Sequence, residues 1–511
     1  RRVAILGGGV SGLSTHHYLT KNVSRLNKTR TSSPDDQQQL HIDVFESQSQ
    51  LGGWMQTKHI NDSTVVEIGP RSIRVAGHGR STLDLVSELR LDNQVIFASK
   101  KAKTRHMMID GIVVQLPSSF LGALAFAYKH SLFQPVLSEP SKPKGQGQEG
   151  DDESIQSFFT RRLGATIANR FIEPVCLGIY GGDVSRMSIR SCFPTMYEYE
   201  HEYGSLIRGA LFHKKATQTE DLALSLDHDS IRRVKSILNK DTDESGIFSF
   251  KNGLSTLTDA LGKAVPQQHL HLGKSIMSVH ANGNKGSFTV VDNTGASHEC
   301  DSVISTLPLG QLTTIVGEMD STLARLCAQQ EYSSIAVINL VYDSPIVRSK
   351  VAGLGFGYLV ASCESQPVLG VAIDSNTFPT FVNDQSKCII TVMIGGNKDV
   401  DKINDHDHNG QSKLVNIAID HINKYILSTS STSSTSTTIS PVESMVRVCH
   451  DAIPHYIIGH QQLIKDITTH LEKKYNGTFI IGGNSMYGVG LNDAIFNSKR
   501  IANRLVNTIY N

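Results

Sequence analysis

The first 46 residues show two apolar patterns, one typical of buried strands and one typical of a helix. Residues 3–6 are continuously apolar, as in a strand covered on both faces. Glycines follow at once, then a helix predicted over about 11–20, and a second strand over 41–45 that ends at Glu46. Residues 22–39 are polar and predict an inserted surface loop. Strand, helix and strand together predict a βαβ unit with a lengthened connection.

The rest of the chain continues with mixed elements. The pattern predicts a helix over 81–91, a charged Pro/Gly-rich linker over 138–153 and a helix that opens near Ser154. Beyond residue 245 strands and turns dominate, with apolar strands at 337–341 and 389–394. A Ser/Thr-rich run over 428–440 predicts a low-complexity loop. The last residues return to a strand over 479–481 and a helix over 492–506.

Composition narrows the class of protein. A chain of 511 residues is expected to form two or three domains. A net charge of +1 provides no global field for nucleic acid, so no nucleic-acid partner is predicted. The seven cysteines include no CxxC pair, which argues against a zinc site, an iron–sulfur site or a disulfide framework. No secretory signal and no transmembrane helix are predicted, because a strand begins at residue 3 and Pro117 interrupts the longest uncharged run.

The glycine-rich turn after the first strand predicts a dinucleotide site. Residues Gly7, Gly8, Gly9, Val10, Ser11 and Gly12 fit GxGxxG between a strand and a helix. In this motif the glycines allow a tight turn, close approach of the backbone to a pyrophosphate, and close packing of helix on strand. Glu46, followed by Ser47, stands where a carboxylate can accept hydrogen bonds from ribose hydroxyls, and the insertion at 22–39 explains its wide spacing from the glycines.

A second glycine pair favours FAD over NAD. Gly52, Gly53 and Trp54 follow a few residues after Glu46, where a turn lets a second backbone stretch run beside the pyrophosphate of an extended FAD. Near the carboxyl end, residues 489–493 precede the final helix. The positive end of a helix can stabilise negative charge on a reduced flavin.

Two longer strings carry a family resemblance. Residues 67–74 read Glu-Ile-Gly-Pro-Arg-Ser-Ile-Arg, and 188–194 read Ser-Ile-Arg-Ser-Cys-Phe-Pro. With the glycine motifs they resemble the amine-oxidase and phytoene-desaturase superfamily of FAD enzymes, and within it the protoporphyrinogen oxidases. The resemblance spans nearly the whole chain, interrupted by polar stretches at about 22–39, 138–150, 215–245 and 400–440.

The resemblance implies an activity and a set of site residues. The activity is oxidation of protoporphyrinogen IX to protoporphyrin IX with FAD and O2, a six-electron reaction that releases three H2O2 in heme biosynthesis. By resemblance, Arg105 binds a propionate, Phe356 and Leu359 enclose a pyrrole ring, Met393 is a further wall residue, and Gly178 and Gly181 let the macrocycle approach. The implied FAD contacts add Gly69, Pro70, Arg71, Ser72, Ile276, Asn484, Val489, Gly490 and Leu491 to the glycine motifs. The sequence identifies no acid–base residue.

The resemblance also implies an architecture and a location. The fold class is α/β, with a Rossmann-type FAD-binding domain (1–80, 246–312 and 470–511), a mixed-sheet substrate domain (206–245 and 313–469) and a helical membrane-facing domain (81–205). The expected location is the intermembrane side of the mitochondrial inner membrane, as a peripheral protein. A homodimer and hand-over of the product to ferrochelatase are further expectations.

Three other functions stay open on the sequence. An FAD oxidase acting on amines would usually have an aromatic pair near the carboxyl end, but Tyr487 stands alone there. A flavin-binding scaffold or partner protein that has lost turnover is the second alternative, and the intact glycines, Glu46 and Arg105 argue against it. A polyene desaturase is the third reading, and the propionate arginine and the 188–194 string favour a porphyrinogen over it.

Overall fold

One part of the fold is built on a parallel sheet. The computed structural model describes residues 1–30, 39–61, 64–145, 152–213, 228–238, 246–283, 286–384, 386–396, 408–428 and 438–510. The strands are β1 Arg2–Leu6, β2 His41–Glu46, β3 Thr57–Ile60, β4 Thr64–Glu67, β5 Ile73–Arg74, β6 Val95–Phe97, β7 His106–Ile109, β8 Ile112–Gln115, β9 Ile247–Phe250, β10 Leu270–Leu272, β11 Ile276–Ala281, β12 Phe288–Asp292, β13 Ser297–Cys300, β14 Ser302–Ser305, β15 Glu331–Asp343, β16 Gly357–Val360, β17 Val368–Ile373, β18 Lys387–Gly395, β19 Glu443–His455 and β20 Phe479–Ile481.

Helices cover both faces of this sheet and fill the connections. They are α1 Val10–Arg30, α2 Gly79–Glu88, α3 Phe120–Lys129, α4 Phe133–Ser138, α5 Ile155–Leu163, α6 Ala165–Ile167, α7 Glu173–Tyr180, α8 Ile189–Cys192, α9 Pro194–Tyr203, α10 Leu206–Phe212, α11 His228–Leu238, α12 Ser255–Lys263, α13 Leu309–Val316, α14 Ser321–Cys327, α15 Pro345–Val351, α16 Asp374–Thr377, α17 His408–Ile422, α18 His460–Tyr475 and α19 Leu491–Tyr510.

The parallel sheet has the order β10-β2-β1-β14-β20. Its strands come from the beginning, the middle and the end of the chain, and each adjacent pair is parallel. Because both faces are covered, β1 is apolar from Val3 to Leu6, and these four residues are buried. Helices α1 and α19 lie on one face, where Leu13, Leu19 and Ile495 share a core.

A second, larger sheet has the order β19-β15-β18-β17-β16-β7-β8 and is antiparallel except where β16 pairs with β7. One face packs against α17 through Ile338, Val392 and Val371. The opposite face carries the alternate residues, because side chains alternate along a strand. This mixed sheet stands next to the parallel sheet and supplies the second wall of the candidate site.

The first helix is longer than predicted, so the surface loop expected over 22–39 is wrong for residues 22–30. Helix α1 continues to Arg30 because Val23 and Leu26 follow Leu19 at helical spacing and pack into the same core. Residues 31–38 of the expected loop lie outside the described residues.

The linker predicted over 138–153 is in part a buried structural element. Glu139 is fully buried and forms an ion pair with Arg162, which is also fully buried. Arg162 Nε donates to Glu139 Oε1 at 2.7 Å, and the backbone N–H of Leu206 donates to the same oxygen at 2.9 Å. A buried charge is tolerated when it is paired and hydrogen-bonded, and that pairing fixes this segment to helix α5.

Residues 81–205 are less uniformly helical than predicted. Strands β6, β7 and β8 lie within this range, and β7 and β8 extend the mixed sheet beside β16. Helices dominate only from residue 120 onward. None of the described helices combines the length and the apolar character needed to cross a membrane. Residues 146–151, 214–227, 239–245, 397–407 and 429–437, on which the expected polar insertions and the Ser/Thr-rich loop fall, lie outside the described residues.

Candidate functional site: a dinucleotide cradle facing an apolar wall

The turn between β1 and α1 requires glycine at two positions for the fold itself. Gly7 has φ +109°, a conformation that side chains rarely adopt. A Cβ on Gly12 would lie 1.9 Å from the carbonyl oxygen of Gly7, so helix and strand can approach only without one. Both observations agree with the roles predicted for the first and last glycine of the motif.

Gly9, the middle glycine, is different because the fold does not need it. A Cβ there would meet only the Cα of Gly53, at 3.9 Å. Gly9 pairs with Gly52 in an isolated parallel bridge, and the Gly52 N–H donates to the carbonyl of Gly8 at 3.0 Å. The two glycine turns therefore run side by side and leave open space at Gly9. Such a cradle at the positive end of a helix fits a pyrophosphate.

Glu46 ends β2 beside this cradle and is buried. Its Oε2 accepts a hydrogen bond from the Gly8 N–H at 2.9 Å, and its Oε1 accepts one from the Gln48 N–H at 2.9 Å. The Ser47 hydroxyl donates to Oε1 at 3.2 Å. A carboxylate has about four lone-pair sites, so Glu46 keeps acceptor capacity for ribose hydroxyls. Ile276 packs in the same core as Phe45, next to Glu46.

The Gly69–Ser72 loop packs against the turn that contains Gly53 and Trp54. A Cβ on Gly69 would lie 2.0 Å from the carbonyl oxygen of Trp54, so this glycine allows the two loops to pack against each other. Arg447, on β19, donates to the carbonyls of Gly53 and Trp54 at 3.0 and 3.1 Å. Pro70 follows Gly69 directly and precedes Arg71, whose side chain reaches the mixed sheet.

Arg71 points into the mixed sheet and is fully engaged there. Its Nε donates to Asp374 at 3.0 Å, and Nη2 donates to Asn339 at 3.0 Å and to the Thr391 hydroxyl. Burial raises the pKa of Asp374, whereas Arg71 and Thr391 lower it. The arginine therefore joins the loop to the sheet and is not available as a free cation.

Glu67, just before this loop, is a second buried carboxyl group. It accepts hydrogen bonds from the Leu254 N–H at 2.7 Å and the Thr57 hydroxyl at 2.8 Å. Burial nevertheless raises the pKa of Glu67 to about 8, because those hydrogen bonds only partly offset the lost hydration of the charge.

The wall predicted for substrate lies on the mixed sheet. Residues paired directly across neighbouring strands share a face, and Leu359, Gly370, Met393 and Val337 form one such row. Leu359 and Met393 are both partly exposed on this face. Arg105, which immediately precedes β7, places its guanidinium carbon 4.8 Å from the centre of the Phe356 ring. The structure therefore brings together Arg105 with Phe356, and Leu359 with Met393.

The two predicted glycines of helix α7 lie at the same wall but differ in what they do. A Cβ on Gly178 would lie 2.8 Å from Leu359 Cδ2, so the space left by Gly178 already receives the tip of Leu359. Gly181 is buried, has φ +59° and ends α7 in the left-handed conformation. Its glycine character is required by the backbone.

Two cavities adjoin the beginning of α19. The smaller, of about 430 Å³, is lined by Ser72, Arg74, Gly490 and Leu491, so it joins two segments predicted to contact the cofactor. The larger, of about 1250 Å³, is lined by Arg74, Gly490, Val489, Ile179 and Tyr456. Asn484 lies behind it, with its backbone carbonyl accepting from the Tyr456 hydroxyl and its amide donating to Ala452 O at 3.2 Å.

Several site residues were not predicted from the sequence. They are Glu67, Asp374, Asn339, Thr391, Arg447 and Arg74. Asn339 and Thr391 each interrupt an apolar strand, and a buried polar residue in such a strand indicates a partner elsewhere in the fold. The partner itself could not be named, since Arg71 lies 303 residues away from Asp374.

Comparison with known proteins decides the family. The family model described as flavin containing amine oxidoreductase matches residues 10–506. The chain belongs to this family. It is also 38% identical to a protoporphyrinogen oxidase of Dictyostelium discoideum, over 99% of both chains, which places it among the protoporphyrinogen oxidases. A Bos taurus relative of the same name is 28% identical over 99% of both chains.

The fold agrees with that membership. A crystal structure of a putative protoporphyrinogen oxidase from Exiguobacterium superposes with a TM-score of 0.76 at 18% identity, covering 99% of this chain and 98% of the other. The protein is thus an oxidoreductase with FAD as cofactor and the mixed α/β fold of its superfamily. The open glycine cradle and the buried Glu46 fit that cofactor.

Proposed function

We propose that the protein oxidises protoporphyrinogen IX to protoporphyrin IX, reducing three O2 to three H2O2. The observation that carries this proposal is a cation next to an apolar wall: Arg105 lies over Phe356, and Leu359 and Met393 lie on the same mixed sheet. This sheet contacts the dinucleotide cradle through the hydrogen bond from Arg447 to the Gly53 carbonyl. A flexible apolar macrocycle with propionate side chains requires that combination. The names of the relatives support it independently.

In this proposal the residues of the chain bind and orient the substrate. FAD, when bound, supplies the hydride acceptor and the route for electrons to oxygen. Arg105 holds a propionate, and Phe356 and Leu359 pack on a pyrrole ring. The buried carboxyl groups Asp374 and Glu67 are committed to Arg71, Thr57 and the backbone. No acid–base residue is assigned, and proton shifts are left to the pyrrole nitrogens.

An amine or polyene substrate is the less favoured alternative. An amine calls for an acceptor or an aromatic pair at the flavin, whereas the wall carries an arginine, which repels a protonated amine. Tyr487 is exposed, and its ring centre lies 6.0 Å from the guanidinium carbon of Arg500. A polyene has no group for Arg105 to bind. We therefore keep the porphyrinogen as the proposed substrate.

We further infer that helices α3, α4 and α10 dock on a membrane surface. Leu121, Tyr128 and Leu137 are 77%, 81% and 75% exposed, and Leu211 and Phe212 add to the apolar residues displayed by this helical region. Exposed large apolar residues in neighbouring helices are typical of interfacial binding. Such a surface suits a substrate that partitions into lipid.

The inferred location is the intermembrane side of the mitochondrial inner membrane, as the family resemblance implies. The proposed domains are an FAD-binding unit (1–80, 246–312 and 470–511), a substrate unit (206–245 and 313–469) and a membrane-facing helical unit within 81–205. A homodimer and hand-over of the product to ferrochelatase remain predictions that sedimentation and coupled assays can test.

The decisive experiment is anaerobic mixing of the yellow protein with protoporphyrinogen IX, coproporphyrinogen III or an amine in turn. We expect rapid bleaching of the flavin band with protoporphyrinogen IX, followed by porphyrin fluorescence and three equivalents of H2O2 when air is admitted. Bleaching by the amine alone would contradict the proposal. Faster bleaching by coproporphyrinogen III would replace the substrate with a more highly carboxylated porphyrinogen.

A further inference from the structure

Arg74 is an exposed arginine at the junction of the two cavities, and the site described so far gives it no task. It ends β5, where it pairs with Ile247 of β9. The side-chain amide of Asn492, in the first turn of α19, donates to its carbonyl at 2.8 Å. The backbone is thus held from two sides, while the side chain lines both the smaller and the larger cavity.

Arg74 and Arg105 are close enough for the charge of one to act on the other. Burial lowers the pKa of Arg105, and the nearby charge of Arg74 lowers it further. Within the part of the chain that the structure describes, neither guanidinium has a carboxylate partner. Two neighbouring cations repel each other, so an anionic ligand that contacts both is favoured by both charges.

Two other charged groups near Arg74, one cation and one acid, already have partners. Arg71, three residues earlier, is bound to Asp374 in the mixed sheet. Asp493, the acid that lines the same two cavities, is 2.9 Å from His78 Nδ1. Arg74 is therefore the cation of this loop that is oriented toward the cavities and able to accept an anionic ligand.

The proposed substrate has two carboxylates on neighbouring pyrrole rings. We propose that Arg74 binds one propionate of the porphyrinogen while Arg105 binds the other. This inference rests on the proposed function and adds a second anchor to it. Two anchors would fix the rotation of the macrocycle in its own plane, so that the same edge meets the flavin in each productive complex.

The test compares Arg74→Ala and Arg74→Lys with Arg80→Ala, an exposed arginine of helix α2 that lines neither cavity. Each holoenzyme is assayed with protoporphyrinogen IX and with its dimethyl ester in the same detergent. We expect Arg74→Ala to raise KM for the diacid by about tenfold, equivalent to about 1.4 kcal/mol. KM for the ester, kcat and the flavin content should stay as in the wild type. Arg74→Lys should recover part of the loss, since lysine keeps the charge without the planar fork.

The double variant Arg74→Ala/Arg105→Ala distinguishes separate anchors from a shared one. Arg105→Ala alone should also raise KM for the diacid by about tenfold, so separate propionates predict that the two effects multiply, to roughly a hundredfold, because independent contacts add in free energy. A double variant no worse than either single variant would overturn the inference. An unchanged KM in Arg74→Ala, an equal rise with the ester, or loss of flavin would each overturn the inference. Failure of the wild-type protein to oxidise either form would instead refute the proposed function.

Discussion

Replacing Gly9 should separate cofactor binding from folding. Its backbone is outside the left-handed region, and an added Cβ would approach no atom of the described residues closer than 3.9 Å, so the folded protein has room for alanine. Gly12 is the matched control. A Cβ at Gly12 would lie 1.9 Å from the Gly7 carbonyl oxygen, which is backbone and cannot rotate away.

The expected magnitudes differ between the two variants. Gly9→Ala should change the stability of the FAD-free protein by no more than about 1 kcal/mol, the usual range for a compatible glycine site. It should weaken FAD binding by about 1–3 kcal/mol, the cost of overpacking a closely fitted contact, or roughly 5- to 150-fold in affinity. Gly9→Asp, which adds a negative charge beside the pyrophosphate, should lose FAD entirely. Gly12→Ala should destabilise the fold with or without cofactor, by about 3 kcal/mol or more.

The assay titrates FAD into flavin-stripped protein and follows flavin fluorescence, with thermal unfolding of the same stripped sample. Wild-type FAD affinity in Gly9→Ala would refute the idea that the pyrophosphate passes Gly9. A large loss of stability in stripped Gly9→Ala would show instead that the fold itself needs this glycine. A yellow, flavin-loaded Gly9→Asp protein would contradict the cradle altogether.

Three further predictions follow from buried or exposed groups. Burial holds the pKa of Glu67 near 8, above its ordinary value, so the contribution of Glu67 to stability is lost as the pH rises from about 4.5 through about 8. In thermal unfolding, the stability of Glu67→Gln relative to wild type should therefore increase by about 1–3 kcal/mol between about pH 5 and about pH 9. Parallel pH profiles of the two proteins would contradict burial as the cause. Arg162→Met should lower the free energy of unfolding in denaturant by about 3–5 kcal/mol, because it leaves the buried Glu139 carboxylate without its cation. Adding Glu139→Gln should recover part of this loss, and no recovery would refute the uncompensated charge as its cause. Leu121→Glu should reduce flotation with lipid vesicles without changing turnover in detergent, because insertion of an exposed leucine contributes about 1.5–3 kcal/mol. The control variant Ile346→Glu, at an exposed site on α15, should float as the wild type does. Equal flotation of both variants would show that α3 is not part of the membrane surface.

The sequence by itself determined the local parts of this protein. The apolar run at 3–6, the glycine turn and the strand ending at Glu46 predicted the βαβ unit, and the structure has all three. Helix α5 begins as expected, with the Ser154 hydroxyl accepting from the Ser157 N–H. These features depend on residues within one or two turns of each other, so periodicity and capping are sufficient to predict them.

Some local signals were present and were missed. Helix α18, which the prediction of strands and turns after residue 245 left out, buries Ile464, Ile467 and Leu471 at spacings of three and four residues. Val23 and Leu26 likewise extend α1 beyond its predicted end. In both cases polar residues around the apolar stripe concealed an amphipathic helix.

Only the tertiary structure decided how distant segments meet. It turned Arg71 toward Asp374 and left Arg74 at the cavities, although both lie in one short string. It also placed β7 beside β16 and brought Arg105 to Phe356 across some 250 positions of sequence. Such contacts depend on strand order and crossover connections, which the periodicity of any one segment does not contain. The chemistry of each side chain can therefore be read along the chain, but the folded sheets decide which partner it finds.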